Sequence, residues 1–467
     1  MYGRVRRHAL PGLLSSRHGT ILSGVLLNGT LPMSHAPHTS EVSARDVTVS
    51  FSTTCPVPLL FGGVVLVCLL LGTDVALPGQ LSQRSSSPHA PRLHAPRPTL
   101  LDGFGMAVAS AGNRILVSAP HATGRRGQTG KVFLFERESG TLLRELSPPS
   151  PIGDDLFGLS VGLTMHHVVV GAPRGKGQQR RSVGSVSVFD LETGAVLRVV
   201  TSPGQAPAAF GHAVAVRGRL LAIGDPGAGT ATTFDVGEAY LVDILSGEVR
   251  QTVTSPHAKT GKPDGFGHAV ALPGSVLAVS APLGGTSPID HGQVFLFDRE
   301  SGRLHRVLES PDPQTNAYFG WALAGDEEFL VVGALGQGRM QPEAGAAYLY
   351  TSTGQFLRKL EVPSLKKGDH FGEAVAILSE SIIVGAPGDD AAGVDAGAVF
   401  IFDRATGTMR SKIPNPSTTT GVADLFGHAV SGSGDGIAVG APYGDLRTMP
   451  DAGLVHQFRL PSSREGT

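Results

Sequence analysis

The chain has 467 residues, among them 63 glycines, 33 prolines and two cysteines, with 16% charged and 41% hydrophobic residues and a formal net charge of −1. This excludes a charged disordered chain, a disulfide-stapled scaffold, a coiled coil and a collagen, and it offers nucleic acid no electrostatic footprint. Abundant glycine without a triplet period points to short strands joined by tight turns.

The first hundred residues carry eight Lys and Arg against three Asp and Glu, the remainder thirty against thirty-six. Residues 59–72, LLFGGVVLVCLLLG, contain no charge, and Arg4, Arg6, Arg7, Arg17 and Arg45 precede them. An apolar run of about 10–14 residues matches a signal-peptide core, while a spanning helix needs about 20. The preceding arginines hold the N-terminal side in the cytoplasm by the positive-inside rule. The expected organisation is a basic, disordered leader (1–57), a hydrophobic signal or signal-anchor segment (58–78), a Ser/Pro-rich linker (79–91) and an exported globular part. That part is membrane-anchored, or secreted after cleavage. The leader is long for a signal peptide, which leaves a downstream start such as Met33 open. Cys55 and Cys68 lie in or beside the apolar segment, so the exported part has no thiol for a disulfide.

From residue 92 the chain repeats. Phe-Gly recurs at Phe104, Phe157, Phe210, Phe266, Phe319, Phe371 and Phe426. A second signature follows each, as in Gly171-Ala172-Pro173, Gly385-Ala386-Pro387 and Gly440-Ala441-Pro442, with the variant Gly224-Asp225-Pro226 in the third unit. Next comes a strand such as VFLFD, and then a turn of the form Asp-x-x-Ser/Thr-Gly. In that turn the acid can accept backbone N–H bonds, and the glycine closes a short hairpin. Each unit offers four apolar stretches and no helical period. Seven such units predict an all-β, seven-bladed β-propeller of four-stranded antiparallel blades over 92–460, followed by a tail, 461–467. The seventh unit lacks its fourth strand. Residues 92–96 match the spacing of that strand and are expected to complete the last blade, removing free edges.

Phe-Gly followed by Gly-Ala-Pro at this period resembles FG-GAP repeats, as in the seven-bladed propeller at the N-terminus of integrin α chains. The resemblance implies an extracellular, adhesion-type module whose ligands meet the loops of one face. It also implies calcium, bound by D-x-D-x-D-G-x-x-D loops in the hairpins between the first two strands. The hairpins here, such as GDEE and SGSGDG, lack those acids, and calcium needs six to eight oxygens. No cofactor is expected, with calcium kept open as the exception.

Three groups of residues mark candidate sites. Arg125, Arg126, Arg174, Lys176, Arg180 and Arg181 form a basic cluster on the loops of units one and two, with Tyr443 as a further loop-face contact. Such a cluster suits an acidic polymer, a sulfated glycan or an acidic protein, and solvated loop surface is the plain alternative. An acid stands two residues before the glycine that opens the third strand at Asp235, Asp290, Glu343, Asp395 and Asp451. This acid reads as a loop cap. Asp389, Asp390 and Asp395 together form the candidate cation site. The residue two after each repeat Phe gives Met106, Leu159, His212, His268, Trp321, Glu373 and His428, which ring the channel mouth if the first strands are innermost. The pairs His212–His268 and Glu373–His428 suit a transition metal, or line a wet channel, and Trp321 could stack on a sugar. No H-E-x-x-H, Walker loop or C-x-x-C occurs. The expected function is a non-enzymatic, exported or membrane-tethered interaction module with a protein or glycan ligand. The alternatives are an enzyme at the channel mouth and a structural assembly subunit.

Overall fold

The computed structural model describes residues 91–124, 127–175, 183–204, 208–229, 236–258, 263–285, 291–338, 342–417, 423–446 and 449–460. All of them lie in the unit Arg84–Thr467. The expected leader, the apolar segment, most of the linker and the tail are outside the described residues.

The described residues form an all-β, seven-bladed propeller. Six blades are four-stranded and antiparallel, with strands in sequence order from the inside outward. Blade six shows the plan: Val375–Ile377, Ser381–Ala386, Ala398–Asp403 and Met409–Pro414. In every four-stranded blade the pairing of third and fourth strands shifts register once, as between Ile401 and Phe402. A bulge at this point increases local twist, which suits a strongly twisted blade. Blade seven has three strands, Ala429–Ser433, Gly436–Ala441 and Leu454–Arg459. Leu93 exchanges two backbone hydrogen bonds with Val455, at 2.8 and 3.0 Å, on the open side of the third strand, and the Gln457 side chain donates to the Pro91 carbonyl at 3.0 Å.

First strands neighbour one another around the ring, and the last, Ala429–Ser433, lies beside the first, Val108–Ala111. Seven hydrophobic clusters fill the structure, each at a junction of two consecutive blades. The one between blades seven and one includes Leu93, Ala95, Phe104, Ala438 and Val455. All seven repeat phenylalanines are 0% exposed. Burial of each contributes about 1.5–3 kcal/mol, so the repeat Phe is the wedge that holds neighbouring blades together.

The glycines of the two signatures meet across the same junctions. A Cβ on Gly385 would lie 2.0 Å from the Gly427 carbonyl of the next blade, and one on Gly397 would lie 2.0 Å from the Phe426 carbonyl. The same contacts close the ring, since Gly440 faces the Gly105 carbonyl and Gly453 the Phe104 carbonyl. Phe-Gly and Gly-Ala-Pro are therefore two halves of one inter-blade joint, contributed by successive repeats.

Candidate functional site: the loop face and channel mouth

The antiparallel order assigns the connections to two faces. The first-to-second and third-to-fourth hairpins share one, called here the hairpin face. The second-to-third loops, the inter-blade loops and the starts of the innermost strands share the other, the loop face.

On the hairpin face the Asp-x-x-Ser/Thr-Gly turns are built as the sequence suggests. The Asp403 carboxylate accepts the Thr406 backbone N–H at 2.6 Å and its hydroxyl at 2.8 Å, and Gly407 has φ 69°. Asp190 and Asp298 hold their turns in the same way. These hydrogen bonds pull all three carboxyls below their ordinary value, Asp403 to about 2. Arginines bind neighbouring blades together here. Arg137 donates to the Ser433 carbonyl of blade seven at 2.5 Å, and Arg217 to the Leu272 carbonyl of blade four at 2.7 Å. Arg404 of blade six pairs with Asp326 and Glu328 of blade five, both at 2.9 Å, and lies over the Phe329 ring.

Those pairs bear on the calcium that the resemblance implies. Asp326, Glu327 and Glu328 are the acids of the blade-five hairpin. Arg404 takes the first and third, Arg217 takes the second, and Asp326 also caps the Glu328 and Phe329 amides. A donor set already neutralised by two guanidinium groups does not fit a calcium shell.

The loop face is made differently. All eleven non-glycine residues with positive φ among the described residues lie on it, among them Leu156, Tyr318, His370 and Leu425, each directly before a repeat Phe. Gly103 and Gly265 take the same conformation at the equivalent place, so six of the seven turns share it and Ala209 of unit three is the exception. A bulky residue held in it costs about 1–3 kcal/mol.

One side chain per turn supports this bend, and sequence reasoning missed it. Asp102, Asp155, Asp264, Asp369 and Asp424 stand two residues before the repeat Phe and are all at most 4% exposed. Asp264 accepts the Ser255 hydroxyl at 2.6 Å and the Phe266 amide at 2.9 Å; Asp369 accepts the Lys366 amide at 2.7 Å; Asp424 accepts the Asn415 amide group at 2.8 Å. Burial raises the pKa of each of these three. The signal was available as an Asp-x-Phe-Gly pattern in five of seven units. Unit three has Ala208 at that place, and Asp225 reaches in from the second strand to accept the Ala209 amide at 2.7 Å. Burial, with the Glu238 charge adding to it, pushes Asp225 up to about 7.

The candidate residues fall on this face as follows. Arg125, Arg126, Lys176, Arg180, Arg181, Asp235 and Asp290 lie outside the described residues. Arg174 is exposed, and Tyr443 is half-buried, its amide donating to the Asp424 carbonyl at 3.4 Å. Glu343, Asp395 and Asp451 occupy the left-handed position of their loops, φ 49–60°. Two of them are held there by other acids: Asp390 accepts the Asp395 amide at 2.9 Å, and Asp445 the Asp451 amide at 2.8 Å. Asp389 is buried and pairs with Lys412 at 2.6 Å, so an ammonium already sits on the acids singled out for a cation. Among the described residues no group of three or more His, Cys, Asp or Glu is arranged to hold a metal ion.

The residues two after each Phe do come together. His212 and His268 have ring centroids 5.0 Å apart, and Trp321 follows at 4.5 Å from His268. Burial lowers His212 to about 4 and His268 to about 3, the latter helped by His212. Across the ring, Glu373 and His428 share a hydrogen bond of 2.6 Å, with the His370 imidazole 3.7 Å from the other carboxylate oxygen. Met106 and Leu159 make the remaining arc apolar, giving the mouth three sectors of different chemistry.

Residues 305–350 and 359–402 match the family described as FG-GAP repeat. Each match begins in the outer strand of one blade and ends in the third strand of the next, so it takes in one complete inter-blade joint. Comparison with curated proteins gives no match.

Proposed function

We propose that this FG-GAP propeller is a non-enzymatic interaction module, exported or tethered at a membrane, that binds a protein or glycan through its loop face. The fold suggests protein interaction, and the asymmetry of the two faces supports the choice of surface. Backbone strain collects on the loop face, whereas the hairpin face is filled with turns and arginine ties. Strained positions held by a rigid scaffold are a common setting for binding. Export is inferred from the uncharged run 59–72 behind a basic leader. Among the described residues no helix is long and apolar enough to cross a membrane, and that run lies outside them.

The test uses the full chain. Arg125, Arg126, Arg180 and Arg181 are changed to Glu, and binding to heparin, as a sulfated glycan, is compared with wild type across salt concentrations. Lost binding and a flattened salt dependence support a charge-steered rim, and unchanged binding removes it. Protease protection in intact cells tests export, since a fully protected propeller contradicts it.

The Glu373–His428 bond favours a second reading, an enzyme at the channel mouth, because a carboxylate fixes the tautomer of an imidazole that can then act as a base. Glu373→Gln separates the two readings. It leaves rim binding intact and abolishes any hydrolytic turnover.

A further inference from the structure

Three successive blades contribute one continuous arc of rings at the channel mouth: His212, His268 and Trp321, with Tyr318 meeting the indole edge-on at a centroid distance of 6.0 Å. All four are half-buried, so the arc is partly open to solvent. The backbone amides of His212 and His268 bond to the Ala209 and Gly265 carbonyls, but neither imidazole has a hydrogen-bond partner among the described residues. Their ring nitrogens are available, unlike Nδ1 of His428, which is committed to Glu373.

The chemistry of the arc selects its ligand. Burial keeps both imidazoles neutral at physiological pH. The arc therefore has no positive charge to hold a phosphate or carboxylate. Two imidazoles are fewer protein ligands than a metal site needs, and among the described residues no group of three or more His, Cys, Asp or Glu is arranged to hold a metal ion. A neutral imidazole carries one donor and one acceptor, so two in contact present two donor–acceptor pairs side by side. Beside them the Trp321 indole supplies an apolar stacking surface. An uncharged ring with an apolar face and adjacent hydroxyls meets all three demands. We propose that the channel mouth is a binding site for a neutral sugar ring, stacked on Trp321 with its hydroxyls on His212 and His268. This rests on the loop face being the binding face, and it assigns the mouth a ligand different from that of the charged rim.

Trp321 is the only tryptophan of the chain, so intrinsic indole fluorescence reports the mouth directly. The full chain is titrated with methyl β-D-glucopyranoside, methyl β-D-galactopyranoside and N-acetylglucosamine. At least one is expected to give a saturable change. Glucosamine and glucuronic acid, the same ring with a charge, are expected to bind about tenfold more weakly or worse. His268→Ala weakens the neutral sugar by about tenfold. If it also lowers the melting temperature, His268→Phe serves instead, because it keeps a ring in the arc and loses both nitrogens. No saturable change with any neutral sugar up to about 0.1 M, or equal binding of charged and neutral sugars, overturns the assignment. Heparin binding at the rim, measured on Trp321→Phe, is independent of this result, so failure of the mouth and failure of the rim are told apart.

Discussion

On the hairpin face Asp190, Asp298 and Asp403 are pulled toward their charged form; on the loop face Asp264, Asp369 and Asp424 are buried and pushed toward the neutral one. Asp403 and Asp298 accept bonds from a turn amide and hydroxyl and fall below their ordinary value. Asp264, Asp369 and Asp424 also accept turn bonds, yet burial outweighs those bonds and they rise. The residue type and the task are shared; burial raises the loop-face group, while turn hydrogen bonds, and for Asp403 the Arg410 guanidinium, lower the other. Arg137, Arg217 and Arg404 of the hairpin face reach into other blades and draw them together. One face is arranged for cohesion, and the other keeps strain, neutral imidazoles and ring surface in reserve.

The largest expected effect is on the joint that both faces share. Gly397→Ala places a Cβ 2.0 Å from the Phe426 carbonyl at φ 91°. It should remove about 3 kcal/mol or more, read by urea unfolding. A loss under about 1 kcal/mol would show that the joint yields and that the blades are less tightly coupled than described.

Acid should separate the faces next. His212 and His268 stay neutral in the folded chain down to about 4 and about 3, whereas the unfolded chain takes up protons near 6.5. The unfolded state then binds more protons, and stability falls as pH drops below 6.5. The Asp403 contribution is lost later, as pH falls from about 4 through about 2. His212→Gln combined with His268→Gln should reduce the earlier slope, to which buried His456 adds and raised Asp225 runs counter, and leave the later one. An unchanged slope between pH 6 and 4 would locate the acid sensitivity elsewhere.

Arg404→Gln tests cohesion on the hairpin face. Its two ion pairs and its ring contact lie at a half-buried site, and their loss should cost about 1–2 kcal/mol. Millimolar calcium should not restore it, because calcium lacks a shell among Asp326, Glu327 and Glu328; recovery in calcium over EDTA would restore the metal reading. The smallest effect is expected for Asp403→Asn. It keeps an acceptor for the turn, should cost under about 1 kcal/mol, and should remove the stability step at the lowest pH.

The fold was legible because Phe-Gly and Gly-Ala-Pro recur in register, and each marks a contact that tolerates nothing else: a wholly buried wedge and a backbone-to-backbone approach. The ring of residues two after each Phe was legible for the same reason, since the repeat carries the address. Relations between repeats were not. Arg404 meets Glu328 across 76 positions, and Asp225 serves a turn that begins 16 residues earlier. The arginine after the third-strand acid does recur, at Arg137, Arg299 and Arg404, but the repeat does not say which group in another blade it meets, and Asp225 has no periodic echo. The Asp before the Phe was periodic and still passed unnoticed, because aspartate near glycine reads as ordinary turn composition. Among the acids of the second-to-third loops, Glu343, Asp395 and Asp451 occupy a left-handed backbone position, and for Asp395 and Asp451 a second acid accepts the amide.

The bridge between Leu93 and Val455 sets a timetable for synthesis. The first residues of the propeller to leave the ribosome join the last blade to be made, so six blades can stack in order while the ring stands open. Its final junction, lined by Leu93, Phe104, Ala438 and Val455, stays wet until residue 455 has been released. A nascent chain stalled before that point would present a hydrophobic gap at each end, and chaperones that patrol newly made proteins would find it there.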